Sequence, residues 1–177
     1  MTTFTRFDIK QDPFELAKKG RVICGEISSK SLPRLKDILV GDALFQAQMD
    51  FGISDTGQRV VTGDVKGDVE LLCQRCLESF TQHIKFSFKL GIVSSEQEIA
   101  RLTEDCEPLL VEGDEILLSD IIEDELILAL PPAPTHKEGE CSASSYAQSN
   151  ESMEDVADET RQRPFEGLAD LLKKNSD

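Results

Sequence analysis

Residues 61–71 read VTGDVKGDVEL, and their alternation decides the fold. Val61, Gly63, Val65, Gly67, Val69 and Leu71 take the odd positions, while Thr62, Asp64, Lys66, Asp68 and Glu70 take the even ones. A period of two sends alternate side chains to opposite faces, so the segment predicts a β-strand with one apolar and one polar face. The run is long for one strand, and Gly63 and Gly67 read as bulges or bends where it curls. The same period flanks it on both sides. Phe45, Ala47, Met49, Phe51 and Ile53 alternate with Gln46, Gln48, Asp50 and Gly52, and Ile84, Phe86, Phe88, Leu90 and Ile92 alternate with His83, Lys85, Ser87 and Lys89. Turn-rich SDTGQ (54–58) joins the first two segments. Together 45–53, 59–72 and 78–93 predict an antiparallel meander of long twisted strands with a single apolar face, which requires a cover.

Short helices supply the expected cover, giving an α+β fold. PFELAKK (13–19) predicts a short helix, with Pro13 in its first turn, Lys18 and Lys19 at its negative end and Gly20 as C-cap. RVICGEI (21–27) reads as a strand. SLPRLKDIL (31–39) reads as a second helix, capped by Ser31, with Leu32, Leu35 and Leu39 on one face. SDIIEDELILAL (119–130) is the strongest helical segment: Ser119 is the cap candidate, Leu118, Ile121, Ile122, Leu126 and Ala129 form the apolar stripe, and Pro131 and Pro132 end it. Its acids Asp120, Glu123, Asp124 and Glu125 read as a solvated face compatible with the helix dipole. SEQEIARL allows a short helix within the polar stretch 94–108, and PLLVE (108–112) a short edge strand. A single domain is expected over 1–136, a disordered acidic linker over 137–163, and a short amphipathic helix over 164–174 with Phe165, Leu168, Leu171 and Leu172 on its apolar face.

The chain has 177 residues, nine Phe, one Tyr and no Trp, so its aromatic core rests on phenylalanine. Its net charge of −15 is unevenly spread: residues 1–93 carry 13 Lys+Arg against 12 Asp+Glu, and residues 94–177 carry 6 against 22. The acidic rear repels phosphate backbones and attracts basic partners. MTTFTRFDIK lacks the apolar stretch of a signal peptide, and no run of about 18 apolar residues offers a membrane span. A cytoplasmic protein without disulfides is the expectation, even with five cysteines.

Two of those cysteines, Cys73 and Cys76, form a C-x2-C pair between two strands. Such a turn suits zinc, but two ligands do not complete a site. His136 and Cys141, an H-x4-C pair 60 positions beyond Cys76, are the candidates for the other two. Two readings stay open on spacing: a zinc clasp joining the hairpin tip to a distant loop, or reduced thiols with a mobile, exposed His136. A dithiol redox centre fits less well, because reactive pairs sit at helix N-termini and this one follows a strand. Arg75, between the cysteines, offers an exposed contact to phosphate or carboxylate, and Lys85 and Lys89 share a strand face with His83. These three cations are the candidate partner-binding residues. Cys24 reads as a core residue and His83 as a surface histidine. The sequence presents no Ser/His/Asp grouping, phosphate loop or paired-carboxylate motif, so no catalytic residues are assigned.

LLCQRCLESF (71–80), EDELILALPPAPTHKEGEC (123–141) and RPFEGLADLLKK (163–174), with the opening DPFELAKKG (12–20), together resemble the YceD family, the large ribosomal RNA subunit accumulation proteins. The resemblance covers most of the chain outside the acidic tail. It implies a small cytoplasmic bacterial protein, with plastid relatives, that supports synthesis, processing or stability of large-subunit (23S) ribosomal RNA. It implies no catalytic residues, and pre-ribosomal particles, ribosomal RNA or a basic ribosomal protein as partners. Some relatives carry extra cysteine pairs after the acidic helix, an arrangement suited to zinc, where this sequence has only His136 and Cys141. The contrasting reading is an enzyme, a thiol oxidoreductase or RNA-processing nuclease working from the C-x2-C tip.

Overall fold

The computed structural model describes residues 2–4 and 7–143. In chain order the elements are β1 (Thr2–Phe4), β2 (Lys10–Gln11), α1 (Pro13–Lys18), β3 (Val22–Ser28), two 3-10 turns (Ser29–Ser31 and Pro33–Leu35), β4 (Leu44–Ile53), β5 (Arg59–Leu72), β6 (Ser79–Val93), α2 (Glu96–Ile99), β7 (Glu107–Leu110), β8 (Ile116–Leu117) and α3 (Leu118–Ala129). Six strands form one sheet in the order β1-β3-β4-β5-β6-β7, and β2 pairs with β8 in a small ribbon. The run β3 to β6 is antiparallel, and the flanking β1 and β7 pair in parallel with β3 and β6. The fold is therefore α+β, with a mostly antiparallel sheet and few short helices. The acidic stretch beyond residue 143 and the expected helix at 164–174 lie outside the described residues.

The three predicted strands appear within a residue of their expected ends, because alternation over so many residues leaves only one register that buries the apolar set. Val61, Val65, Val69 and Leu71 of β5 face inward with Phe45, Met49 and Phe51 of β4 and with Ile84, Phe88 and Leu90 of β6. The glycines do not make bulges. Pairing of β5 with β6 runs unbroken from Val60↔Gly91 to Leu72↔Ser79. They make room instead: a Cβ on Gly63 would lie 2.0 Å from the Phe88 ring, and one on Gly67 would lie 2.8 Å from the Leu44 carbonyl oxygen.

Helical cover closes the apolar face. In α1 the Asp12 carboxylate accepts from the backbone N–H of Phe14 (2.8 Å) and Glu15 (3.1 Å), Pro13 stands at the first helical position, and Gly20 turns left-handed (φ 59°) just beyond the Lys19 C-cap. The expected helix over 31–39 is not continuous. Pro33 cannot donate a hydrogen bond and pushes Leu32 out of helical geometry (φ −121°, ψ 83°), leaving two 3-10 turns. The inward face is nonetheless the expected one, since Leu32 and Leu35 have no exposed surface. In α3, Leu118, Ile121, Ile122 and Leu126 pack into the same core. Ser119 is not its cap: Leu117 holds that position, and Ser119, buried in the first turn, donates its backbone N–H to the Phe7 carbonyl (3.0 Å).

One polar group is embedded in this cover. Glu123 was expected on a solvated face and is 2% exposed. Its carboxylate accepts from the backbone N–H groups of Arg34 (2.6 Å) and Leu35 (3.3 Å) and from Arg34 Nε (2.9 Å). It thus takes up the Arg34 N–H, shares the Leu35 N–H with the Leu32 carbonyl (3.2 Å), and fastens that turn to α3.

Candidate metal centre at the hairpin tip

The connection between β5 and β6 is residues 73–78. The Cys73 N–H donates to the Glu78 carbonyl (2.9 Å) and the Leu77 N–H donates to the Cys73 carbonyl (2.9 Å), folding the chain into a tight knuckle. Leu77 closes it with a left-handed backbone (φ 62°), the one non-glycine residue with positive φ among those described. The chain leaving α3 comes back to this knuckle. Leu130 is already extended (φ −73°, ψ 139°), and Pro131, Pro132 and Pro134 favour an extended path that reaches the tip. There the Gln74 N–H donates to the Pro134 carbonyl (2.8 Å) and the Arg75 guanidinium donates to the His136 carbonyl (2.7 Å).

The approach gathers Cys73, Cys76, His136 and Cys141, whose ligand atoms all lie within 4.8 Å of one another. Cys73 and Cys141 are buried, with sulfurs 3.9 Å apart. Cys76 Sγ is 3.3 Å from His136 Nδ1, and the His136 ring packs on Phe80 at 4.8 Å between centroids. The 60-residue gap between the two halves disappears because β6 runs away from the tip and the segment after α3 returns to it. Burial pushes the Cys73 thiol up. Donors from the backbone of Cys76, His136 and Arg75, with the Cys76 side chain, outweigh it and bring the thiol down to about 5. The His136 N–H lies 3.5 Å from the Cys73 sulfur.

The donor set fits a soft divalent metal. Zn–S bonds of about 2.3 Å at tetrahedral angles separate ligand sulfurs by about 3.8 Å, close to the 3.9 Å observed between Cys73 and Cys141. Three thiolates and one imidazole complete four-coordination and leave no open position for a substrate, the pattern of structural rather than catalytic zinc. Of the C-x2-C thiols, Cys73 has no exposed surface for a substrate disulfide to reach, and Cys76 is half-buried.

The three candidate partner-binding cations are not brought together. Arg75 is on the exposed knuckle. Lys85 lies six residues into β6 from Ser79, roughly 20 Å of strand away. It sits directly opposite Lys66 on β5. Lys89 lies further along and is ion-paired with Asp105, whose carboxyl it holds down to about 2. His83 is exposed and bonded to Asp68 (2.8 Å). Cys24 is half-buried rather than fully in the core, whereas Cys106 is buried. Sequence reasoning missed Glu123, although its spacing of four from Ser119 and three from Leu126 places it on the inward stripe. It also missed the left-handed Leu77.

No helix among the described residues is long and apolar enough to cross a membrane. No solved structure matches the chain. The family model described as large ribosomal RNA subunit accumulation protein YceD matches residues 61–172, from the start of the β5 alternation. A curated relative from Haemophilus influenzae, named large ribosomal RNA subunit accumulation protein YceD, is 34% identical over 167 residues, covering 92% of this chain and 94% of the relative. On a family match over more than half of its length and a relative aligned along nearly all of it, the chain belongs to the YceD family.

Proposed function

We propose that this protein is a non-enzymatic cytoplasmic factor that supports the accumulation of large-subunit (23S) ribosomal RNA by binding pre-ribosomal particles. The observation that carries the reading is the relative bearing that name, aligned over 92% of the chain. The working surface is the hairpin tip. Cys73, Cys76, His136 and Cys141 hold one zinc ion there as a structural clasp that fixes the knuckle against the returning loop. Arg75 on the knuckle, with Lys85 and Lys89 along β6, contacts ribosomal RNA or protein, and the acidic α3 and tail engage basic ribosomal protein. The closed four-ligand donor set supports a structural role for the metal. The net charge of −15 supports a basic protein among the partners.

Depletion of the protein from its host should lower 23S ribosomal RNA relative to small-subunit RNA. Tagged protein should co-sediment with large-subunit precursors on sucrose gradients. Charge reversal at Arg75, Lys85 and Lys89 together should reduce that co-sedimentation several-fold at matched expression. An unchanged gradient profile for the triple variant would remove these cations from the contact surface.

A further inference from the structure

Leu77 combines two properties that rarely coincide. Its backbone is left-handed (φ 62°), where a Cβ crowds the adjacent carbonyl and glycine or asparagine is the usual occupant. Its side chain is 68% exposed, so no packing in the described fold compensates for the strain. Isolated exposed leucines are ordinary on a protein surface. An exposed leucine held in a strained conformation is different, because glycine would make the same turn more easily. The turn itself needs only the conformation: it lets the Leu77 N–H reach the Cys73 carbonyl and brings the Glu78 carbonyl back to the Cys73 N–H. Such strain persists at sites where the side chain has work to do.

The mounting is rigid. The knuckle is fixed on one side by the β5–β6 ladder and on the other by the Gln74–Pro134 and Arg75–His136 bonds. Leu72, 39% exposed, adds apolar surface at the same end of the hairpin. A preorganised apolar knob loses little entropy when it is seated in a partner, which is the property of an interface anchor.

Resting on the functional reading above, we propose that Leu77 anchors the tip to a protein component of the large-subunit precursor, in an apolar socket on that protein, rather than to RNA. Aliphatic leucine offers neither a π face to stack on a base nor a hydrogen bond to its edge. Among the described residues, the aromatic beside the tip, Phe80, is half-buried against His136. The chain carries a net charge of −15, which repels phosphate but suits a basic protein.

The test uses full-length Leu77→Gly and Leu77→Asn, both of which accept the left-handed backbone. Thermal melting is measured alongside binding to three probes: intact large-subunit precursor particles, the protein fraction extracted from them, and their deproteinised RNA. Melting temperatures should stay level or rise by about 2–4 °C. Binding to particles and to the protein fraction should fall roughly tenfold or more. Lowered melting in both variants would make Leu77 a packing residue and overturn the proposal. So would variant binding equal to wild type, or wild-type binding to the RNA alone. A wild-type protein that binds no particle at all removes the functional reading and the anchor with it. A wild type that binds, matched by Leu77→Gly, removes only the anchor.

Discussion

At the residue scale the fold depends on a few positions where one atom decides the outcome. Gly63 faces the Phe88 ring so closely that a Cβ would lie 2.0 Å away. Gly63→Ala should therefore destabilise the protein by roughly 1–3 kcal/mol, the usual penalty for overpacking. Phe88→Ala in the same chain should make Gly63→Ala far less costly, a non-additivity that urea unfolding of the double-mutant cycle would detect. Glu123 is a second such position. Removing its carboxylate leaves the Arg34 backbone N–H of a covered turn without its acceptor, takes one of two acceptors from the Leu35 N–H, and leaves the Arg34 side chain to Asp124 and the Asp120 carbonyl. Glu123→Ala should lose about 2–4 kcal/mol in urea unfolding, more than Asp124→Ala, whose carboxylate pairs with the same arginine but is 58% exposed. These positions were only partly legible in the sequence. Gly63 was visible as an anomaly within the alternation, but its partner across the strand was not. Glu123 shared its sequence context with acids that do face water.

At the scale of elements, the long strands were legible and the short connections were not. Alternation fixes a strand and its buried face without reference to anything distant, so β4, β5 and β6 could be read directly. The segment 31–39 failed as a helix for the local reason that Pro33 interrupts it. The candidate metal centre is an element-scale arrangement. Its two halves join the β5–β6 knuckle to the loop after α3, and neither half is a site alone. Protein purified without chelator should contain close to one zinc per chain by elemental analysis. Cys73→Ser or His136→Ala should lower that content sharply. Chelation should lower the melting temperature by about 5 °C or more, because loss of the metal releases the loop from the tip. On α3, burial with the neighbouring Glu107 and Asp124 carboxylates pushes the Glu125 carboxyl up. A raised folded-state value favours the protonated form, so this group contributes stability at low pH and loses it as pH rises through that value. Glu125→Gln should therefore raise the melting temperature at neutral pH, by roughly 1–2 °C, and the gain should vanish near about pH 4, where the wild-type side chain is itself protonated.

At the scale of the whole molecule, charge is the feature that bears on partners. The near-neutral first half and strongly acidic second half give the protein a field suited to basic surfaces. If co-sedimentation with precursor particles depends on that acidic half, raising salt from about 50 to about 200 mM should weaken it, since the Debye length shortens over that range. Salt-independent co-sedimentation would instead point to apolar contacts such as the one assigned to Leu77. By itself the sequence determined the β-meander, its buried face, the helix that covers it, the charge division and the family, because each is written in local periodicity or in contiguous motifs. Only the tertiary structure decided that the C-x2-C knuckle meets His136 and Cys141, that Glu123 is a buried clamp, and that Arg75 is tied to the His136 carbonyl. These are contacts across roughly 60 to 90 residues, and they arise from where the packed core carries the chain, which no local pattern encodes. LLCQRCLESF announces two thiols at a metal-binding spacing; only the folded chain brings His136 and Cys141 within reach of them.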